Sequence, residues 1–152
     1  MNQKELDNYY INVAELCSQN SKAIRLKVGA VLVKDQQIIS DGFNGTPSGF
    51  ENECETCKHI ETCKNDCSCC SNKELITKPY VIHAESNCLM KSLKNGNSTD
   101  GATIYVTHAP CVECSKQIIQ SGIKRVVYKN LYKTLDGVNL LLRANINVER
   151  IK

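Results

Sequence analysis

Two short stretches of the sequence carry side chains that could hold a metal ion. The first is His83-Ala84-Glu85, and the second is Pro110-Cys111-Val112-Glu113-Cys114. One imidazole and two thiolates provide three ligands for a tetrahedral zinc and leave the fourth position for water. Zinc lowers the pKa of such a water towards neutrality, and a nearby carboxylate can then move protons. The pattern predicts a catalytic zinc site with His83, Cys111 and Cys114 as ligands and Glu85 as the acid–base group.

Each of these residues also has a simpler interpretation. A C-x-x-C pair alone is equally typical of a redox site or a structural zinc site, and Glu85 could merely stabilise the first turn of a helix. A structural zinc, however, normally has four protein ligands and needs no glutamate two residues after the histidine. We therefore favour the catalytic interpretation.

The rest of the chain must bring these two stretches together. Apolar residues at spacings of three and four, and the positions of glycine, proline and asparagine, predict the elements. Predicted helices cover 3–20, 83–94, 111–121 and 137–144, and predicted strands cover 28–33, 37–40, 102–107, 124–128 and 147–151. Strands that alternate with helices predict an α/β fold with a mixed sheet.

Composition limits the classes of protein to consider. The chain has 152 residues, which suits a single domain over 1–152. A net charge of +3 is too small to indicate a nucleic-acid surface, and we expect no nucleic-acid partner. The sequence has neither a long apolar run nor a signal peptide at its start, so we expect no membrane association and a cytoplasmic location.

Cysteine is unusually frequent, with ten in the chain. Without a secretory signal they are interpreted as thiols and metal ligands. Six fall within a Cys-rich insert at about 51–78, which shows no helix or strand period. Its two C-x-x-C pairs predict a second, structural zinc bound by Cys54, Cys57, Cys67 and Cys70. His59, Cys63 and Cys69 compete as ligands, and the alternative is that some of these cysteines are free or form disulfides.

Several motifs together resemble a known family. The pattern H-x-E…P-C-x-x-C is the signature of zinc nucleobase deaminases. With Lys27-Val28-Gly29-Ala30-Val31, the loop at 42–49 and the stretch at 121–128, the chain resembles the deoxycytidylate deaminases of the cytidine deaminase superfamily, most closely the short bacteriophage forms. Ala109 departs from the family pattern, which usually has serine before Pro-Cys.

The resemblance implies a fold and a reaction. The fold is a three-layer α/β/α arrangement with a central mixed sheet of about five strands. The reaction is hydrolytic deamination of dCMP to dUMP and ammonia, in which zinc-activated water attacks C4 of cytosine and Glu85 transfers protons. An enzyme acting on dCTP or a modified dCMP is the nearest alternative. A non-catalytic zinc module that binds nucleic acid is more distant, because it leaves Glu85 unexplained.

Substrate contacts are expected outside the metal motif. Arg25 and Lys27 are basic candidates for the 5′-phosphate, with Ser21 as a hydroxyl donor and a solvated basic face as the alternative. Family position adds Tyr128 for the phosphate and Asn44 for the deoxyribose, although Asn44-Gly45 is also a common turn. Ala84 and His108 complete the predicted substrate-binding set.

Regulation and assembly are expected from the resemblance alone. Relatives are commonly homohexamers that are activated by dCTP with Mg²⁺ and inhibited by dTTP. The turn-rich loop at Phe43, Asn44 and Gly45 is the predicted place for such an effector to act.

Overall fold

The computed structural model describes residues 1–58 and 74–152. Four helices and seven strands lie in this part of the chain. The helices are α1 (Gln3–Ser18), α2 (Ala84–Lys94), α3 (Val112–Gln120) and α4 (Asp136–Arg143). The strands are β1 (Gly29–Lys34), β2 (Gln37–Phe43), β3 (Glu55–Cys57), β4 (Leu75–Thr77), β5 (Thr103–His108), β6 (Arg125–Asn130) and β7 (Asn147–Arg150).

Five strands form the central sheet in the order β2-β1-β5-β6-β7. β1 is antiparallel to both of its neighbours, whereas β5, β6 and β7 run parallel. The parallel strands are joined through α3 and α4, as parallel connections usually are. The sheet is therefore mixed, as predicted.

Side chains that alternate along the strands build two separate cores. On one face, α1 packs Ile11 and Ala14 against Val31 and Val127. On the other face, α2, α3 and α4 cover the sheet through residues such as Cys88, Ile118 and Leu141, which are fully buried. This arrangement confirms the three-layer α/β/α fold.

The observed element bounds differ from the predicted ones by a few residues. β2 continues to Phe43, three residues further than expected, because its pairing with β1 extends to Gly29. His83 and Cys111 precede α2 and α3 as N-cap residues with extended backbones rather than lying within the helices. None of the helices in the described ranges is long and apolar enough to cross a membrane.

The Cys-rich insert contains two strands that its sequence did not predict. β3 and β4 pair as an antiparallel hairpin, with Glu55 opposite Thr77 and Cys57 opposite Leu75. Strands of three residues are too short to show an alternating pattern. The missing strand period therefore left these two ends of the insert unassigned, while residues 59–73 lie outside the described residues.

Candidate active site

The three predicted zinc ligands lie together at the ends of two helices. Nδ1 of His83 is 3.5 Å from Sγ of Cys111 and 3.4 Å from Sγ of Cys114. The three ligand atoms all lie within 4.8 Å of one another. Among the described residues this is the one group of three or more His, Cys, Asp or Glu side chains close enough to hold a metal ion.

These distances fit a zinc ion. Bonds of about 2.0–2.1 Å to nitrogen and about 2.3 Å to sulfur place the two kinds of ligand about 3.6 Å apart in a tetrahedral site. The observed spacings of 3.4 and 3.5 Å are close to this edge length. One nitrogen and two sulfurs also leave one tetrahedral position for a reactant, as catalytic zinc sites do.

The fold fixes each ligand through a helix start. Cys111 follows the end of β5 and caps α3, where its sulfur accepts the backbone N–H of Cys114 at 3.5 Å. His83 precedes α2, which lies so close to β2 that a Cβ atom on Gly42 would be 2.5 Å from the carbonyl oxygen of Ala84. A side chain at Gly137 would likewise meet the carbonyl oxygen of Pro110 at 2.1 Å. These two glycines allow both ligand turns to pack tightly.

Hydrogen bonding within the cluster prepares one sulfur as a thiolate. Bonds from Cys114 and His83 lower the pKa of the Cys111 thiol. The bond to Cys111 raises the pKa of His83, against the opposing effect of burial. The pKa of Cys114 is raised, because its thiol donates to Cys111 and is buried. A bound zinc would remove the remaining thiol proton.

Glu85 lies in the first turn of α2, two residues after His83, and only 4% of it is exposed. Burial raises the pKa of its carboxyl group. A raised pKa makes a carboxylate a stronger proton acceptor, which suits a general acid–base group. Glu85 therefore lies buried in the turn that follows His83, an environment that suits the acid–base role predicted for it.

A cavity of about 610 Å³ opens beside this cluster. Its size is within the range that small-molecule sites usually have. His83, Glu85 and Cys111 form one part of its wall, and the loop before β1, the insert hairpin and residues 131–133 form other parts.

Four of the seven predicted substrate residues line this cavity: Arg25, Asn44, Ala84 and His108. The side chain of Asn44 also holds the loop before β1, because its Oδ1 accepts the N–H of Val28 and its Nδ2 donates to the carbonyl of Leu26, both at 2.8 Å. His108 Nδ1 lies 2.9 Å from Oγ1 of Thr107, and burial lowers the pKa of His108.

The other three predicted substrate residues lie elsewhere: within the described ranges, the cavity wall does not include Ser21, Lys27 or Tyr128. The hydroxyl of Ser21 is buried and donates to the carbonyl of Asn44 at 2.7 Å. Tyr128 packs in the core between the sheet and α2–α4, and Lys27 is exposed.

Other cavity residues were not predicted to bind substrate. Tyr132 and Lys133 follow β6, and Glu55 and Thr77 come from the insert hairpin. Tyr132 follows the stretch at 121–128 that resembles the family by four residues, which was a usable signal. No local pattern marks Lys133, Glu55 or Thr77, because the fold alone brings them to the cavity.

The insert is described only in part. Cys54 and Cys57 are both buried, and Cys54 also lines the cavity. Cys57 is disulfide-bonded in the structure, so it must be reduced before it can bind zinc as a thiolate. The remaining predicted ligands and competitors lie outside the described residues: His59, Cys63, Cys67, Cys69 and Cys70.

The loop that was predicted to bind an effector also lines a second cavity, of about 510 Å³. Phe43 and Gly45 line this cavity, whereas Asn44 lines the first one. Gly45 also exchanges two backbone hydrogen bonds with Ile82, at 2.8 and 3.1 Å, next to His83. The loop is therefore shared between the two cavities.

Comparison with known proteins agrees with the geometry of the metal cluster. Residues 4–130 match the model of the cytidine and deoxycytidylate deaminase zinc-binding region. The deoxycytidylate deaminase of Enterobacteria phage T4 is 37% identical in an alignment that covers 91% of this chain and 85% of that protein. The human deoxycytidylate deaminase is 40% identical over 128 residues, which cover 82% of this chain and 64% of that protein.

A solved structure extends this similarity to nearly the whole chain. The dCMP deaminase of cyanophage S-TIM5, in complex with dCMP and dUMP, superimposes with a TM-score of 0.85 at 39% identity, covering 99% of this chain and 100% of that one. The metal cluster, the fold and these relatives together show that this chain belongs to the cytidine and deoxycytidylate deaminase family.

Proposed function

We propose that this protein is a zinc-dependent deaminase that converts dCMP and water to dUMP and ammonia. The observation that carries the proposal is the cluster of His83, Cys111 and Cys114 at a cavity of nucleotide size, whose wall includes His83, Cys111 and the neighbouring Glu85. The relatives named deoxycytidylate deaminase and the 39% identical structure with dCMP and dUMP support this choice of substrate.

His83, Cys111 and Cys114 would hold the zinc, which supplies a water activated for attack at neutral pH. Glu85 accepts a proton from that water as the new C4–O bond forms. The same carboxyl group then gives this proton to N3 of the cytosine ring. It next takes the proton of the new C4 hydroxyl and delivers it to the amino group, so that ammonia leaves and the C4 carbonyl forms as the C4–N bond breaks. Because Glu85 is buried, bulk water competes little for these protons.

The cavity wall supplies groups to orient the nucleotide. Asn44 keeps a second lone pair on Oδ1 and a second N–H on Nδ2 after its two backbone bonds, and these can bind the deoxyribose hydroxyl. Arg25 offers a charged donor for the 5′-phosphate. Ser21 would act indirectly, by holding the carbonyl of Asn44.

A substrate panel tests the proposal. Ammonia release is measured with dCMP, dCTP, CMP, deoxycytidine and methylated dCMP, using zinc-loaded Glu85→Gln protein as the control for background hydrolysis. We expect dCMP to have the highest kcat/KM. Equal efficiency with deoxycytidine would contradict phosphate recognition, and a preference for dCTP or methylated dCMP would replace the proposed substrate.

We also propose a second, structural zinc in the insert, bound through Cys54, Cys57, Cys67 and Cys70 in their reduced state. The paired C-x-x-C motifs and the burial of Cys54 and Cys57 support it. Such a metal would order a segment that has little apolar surface of its own.

Regulation by nucleotides is proposed for the loop at Phe43, Asn44 and Gly45. An effector such as dCTP with Mg²⁺ in the second cavity would contact a loop that also reaches the substrate cavity and Ile82. Differential binding of the effector to two loop arrangements would then change the affinity for substrate. We expect a homohexamer in which dCTP makes sigmoidal dCMP kinetics hyperbolic and dTTP opposes it. Hyperbolic kinetics unaffected by either nucleotide would contradict this proposal.

The cytoplasm is the proposed location, because the substrate is a nucleotide and the cysteines need reducing conditions to bind zinc. We propose no nucleic-acid partner. A gel-shift measurement with oligonucleotides tests this, and we expect no shifted complex at physiological salt.

A further inference from the structure

The loop before β1 carries the proposed phosphate ligand, Arg25, but has no regular secondary structure over residues 21–28. Its backbone near Arg25 is held by a side chain of the β3–β4 hairpin. Oε1 of Glu55 accepts the backbone N–H of Ile24 at 2.9 Å and that of Arg25 at 3.1 Å. One carboxylate oxygen therefore fixes two successive peptide groups of the loop.

The side chain of Arg25 is held by the same hairpin. Its Nη1 atom donates to Oγ1 of Thr77 at 3.3 Å. Thr77 lies directly opposite Glu55 in the β3–β4 pairing, so both side chains project from the same face of the hairpin. Both residues also line the 610 Å³ cavity with Arg25.

We propose that the β3–β4 hairpin orients Arg25 towards the substrate phosphate, with Glu55 and Thr77 as positioning residues. The inference rests on the proposed function, since it takes Arg25 to bind the 5′-phosphate of dCMP. It gives the insert a role in substrate selection that does not depend on any metal it binds.

The physical reason is the freedom of an exposed arginine. A long side chain on an irregular loop loses conformational entropy when it binds a ligand, and prior fixation of its backbone and of one nitrogen reduces that loss. The bond to Thr77 uses one of the five guanidinium N–H groups, so the others remain for phosphate oxygens.

The charge of Glu55 distinguishes a positioning role from a purely electrostatic one, because the two roles predict opposite changes in dCMP binding when Glu55 is removed. A carboxylate near a phosphate dianion repels it, so a role that was only electrostatic would make dCMP bind better after Glu55 is removed. Positioning predicts the reverse, because Arg25 becomes free to leave the cavity wall when the carboxylate is lost.

The experiment compares kcat and KM for dCMP and deoxycytidine in Glu55→Ala and Glu55→Gln. We expect Glu55→Ala to raise KM for dCMP about tenfold, with kcat and the deoxycytidine kcat/KM unchanged. Glu55→Gln keeps an acceptor oxygen for the two N–H groups and should recover most of the loss. Glu53→Ala, an exposed glutamate two residues earlier in the insert, is the matched control and should change neither substrate.

A second pair of variants tests the side-chain contact even if Glu55→Ala fails to fold. Thr77→Val removes the acceptor and should raise KM for dCMP, whereas Thr77→Ser should keep the wild-type value. Thr56→Val makes the same change at the neighbouring hairpin position, on the opposite face, and should have no effect on substrate preference.

Measurements in an Arg25→Ala background separate the two proposals. If Arg25→Ala removes the preference for dCMP, and the hairpin changes weaken that preference in the wild type but add nothing in the Arg25→Ala background, the positioning role stands. If Arg25→Ala removes the preference but Glu55→Ala and Thr77→Val leave it intact or improve it, the positioning role is wrong and the proposed function survives. If Arg25→Ala leaves the preference unchanged, phosphate binding by Arg25 is wrong and the positioning inference fails with it.

Discussion

The Nδ1 atom of His83 lies 3.4 Å from Sγ of Cys114, although 31 residues separate them in the chain. The contact joins the N-terminal ends of α2 and α3, both on the same side of the sheet. It places a nitrogen and a sulfur at nearly the spacing of two ligands on one tetrahedral zinc. The packing of α2 and α3 on one side of the sheet therefore brings the candidate metal ligands together.

Removal of any one of these ligands should release the catalytic metal. We expect His83→Ala, Cys111→Ser and Cys114→Ser each to lower bound zinc and to abolish ammonia release from dCMP, because a site with three protein ligands has none in reserve. Elemental analysis and activity are measured on the same preparations. Cys17→Ala, outside the metal cluster, is the control. Full zinc with full activity in any of the three would remove that residue from the ligand set.

Replacement of Glu85 by glutamine should separate metal binding from catalysis. Glutamine has nearly the same shape but cannot carry the proton, so the Glu85→Gln protein should bind zinc normally. We expect kcat to fall by at least about 10² to 10⁴, the usual contribution of a general acid–base group. Near-wild-type turnover by zinc-loaded Glu85→Gln would show that another group moves the protons.

The grouping of the candidate metal ligands could be predicted because it depends on local information in the sequence. Spacing within two short motifs identified His83, Glu85, Cys111 and Cys114, and helix periodicity placed both motifs at helix starts. The alternation of strands and helices similarly indicated an α/β fold with a mixed sheet, whereas the three-layer arrangement was expected from the family resemblance. These features depend on residues close together in the chain.

The residues that line the cavity beside the metal cluster could be predicted only in part, because contacts between distant segments of the chain form its wall. No local sequence pattern shows that the hydroxyl of Ser21 donates a hydrogen bond to the carbonyl of Asn44. Likewise, no pattern indicates that Arg25 rather than Lys27 faces the cavity, since the loop that carries them lacks a regular period. Glu55 and Thr77 come from strands of three residues, which are too short for a recognisable pattern.

Metal counting tests the zinc proposed for the insert. Fully reduced protein should contain two zinc ions per chain, and Cys54→Ser should contain one while keeping the catalytic metal. The thiolate ligands in the insert supply folding energy to that segment only, so activity with deoxycytidine should be retained. A folded, reduced wild-type preparation with a single zinc per chain would contradict the second site.

The side chain of Asn44 has a structural role besides its proposed one in sugar binding. Asn44→Ala leaves the N–H of Val28 and the carbonyl of Leu26 without their partner, so we expect a loss of about 1–2 kcal/mol in the free energy of unfolding. KM for dCMP should rise as well. Asn97→Ala is the matched control, since its amide donates to the carbonyl of Ile39 outside the cavity. An unchanged KM together with lower stability would leave Asn44 with only its structural role.

A buried ion pair behind the sheet should make the protein sensitive to acid. Arg125 on β6 donates to both carboxylate oxygens of Asp7 on α1, at 2.8 and 2.7 Å, and Tyr105 donates to the same carboxylate at 2.8 Å. Burial alone would raise the pKa of Asp7, but the bonds from Arg125, Gln3 and Tyr105 outweigh it and lower the pKa below its usual 3.8. Arg125 also lowers the pKa of the half-exposed Glu149.

Lowered carboxylate pKa values stabilise the fold above the unfolded-state pKa, and this stability is lost as pH falls through the folded-state values. Urea unfolding from pH 7 to pH 3 should therefore show a steep loss near and below about pH 4 in the wild type. Asp7→Asn should lower the free energy of unfolding by about 3 kcal/mol at pH 7 and flatten the acid dependence. Glu15 lies on the same helix as Asp7 and forms a half-exposed ion pair with Lys129 of β6. Glu15→Gln should cost less than about 1 kcal/mol and leave the acid loss in place. The same pH dependence in Asp7→Asn and the wild type would show that Asp7 does not set the acid limit.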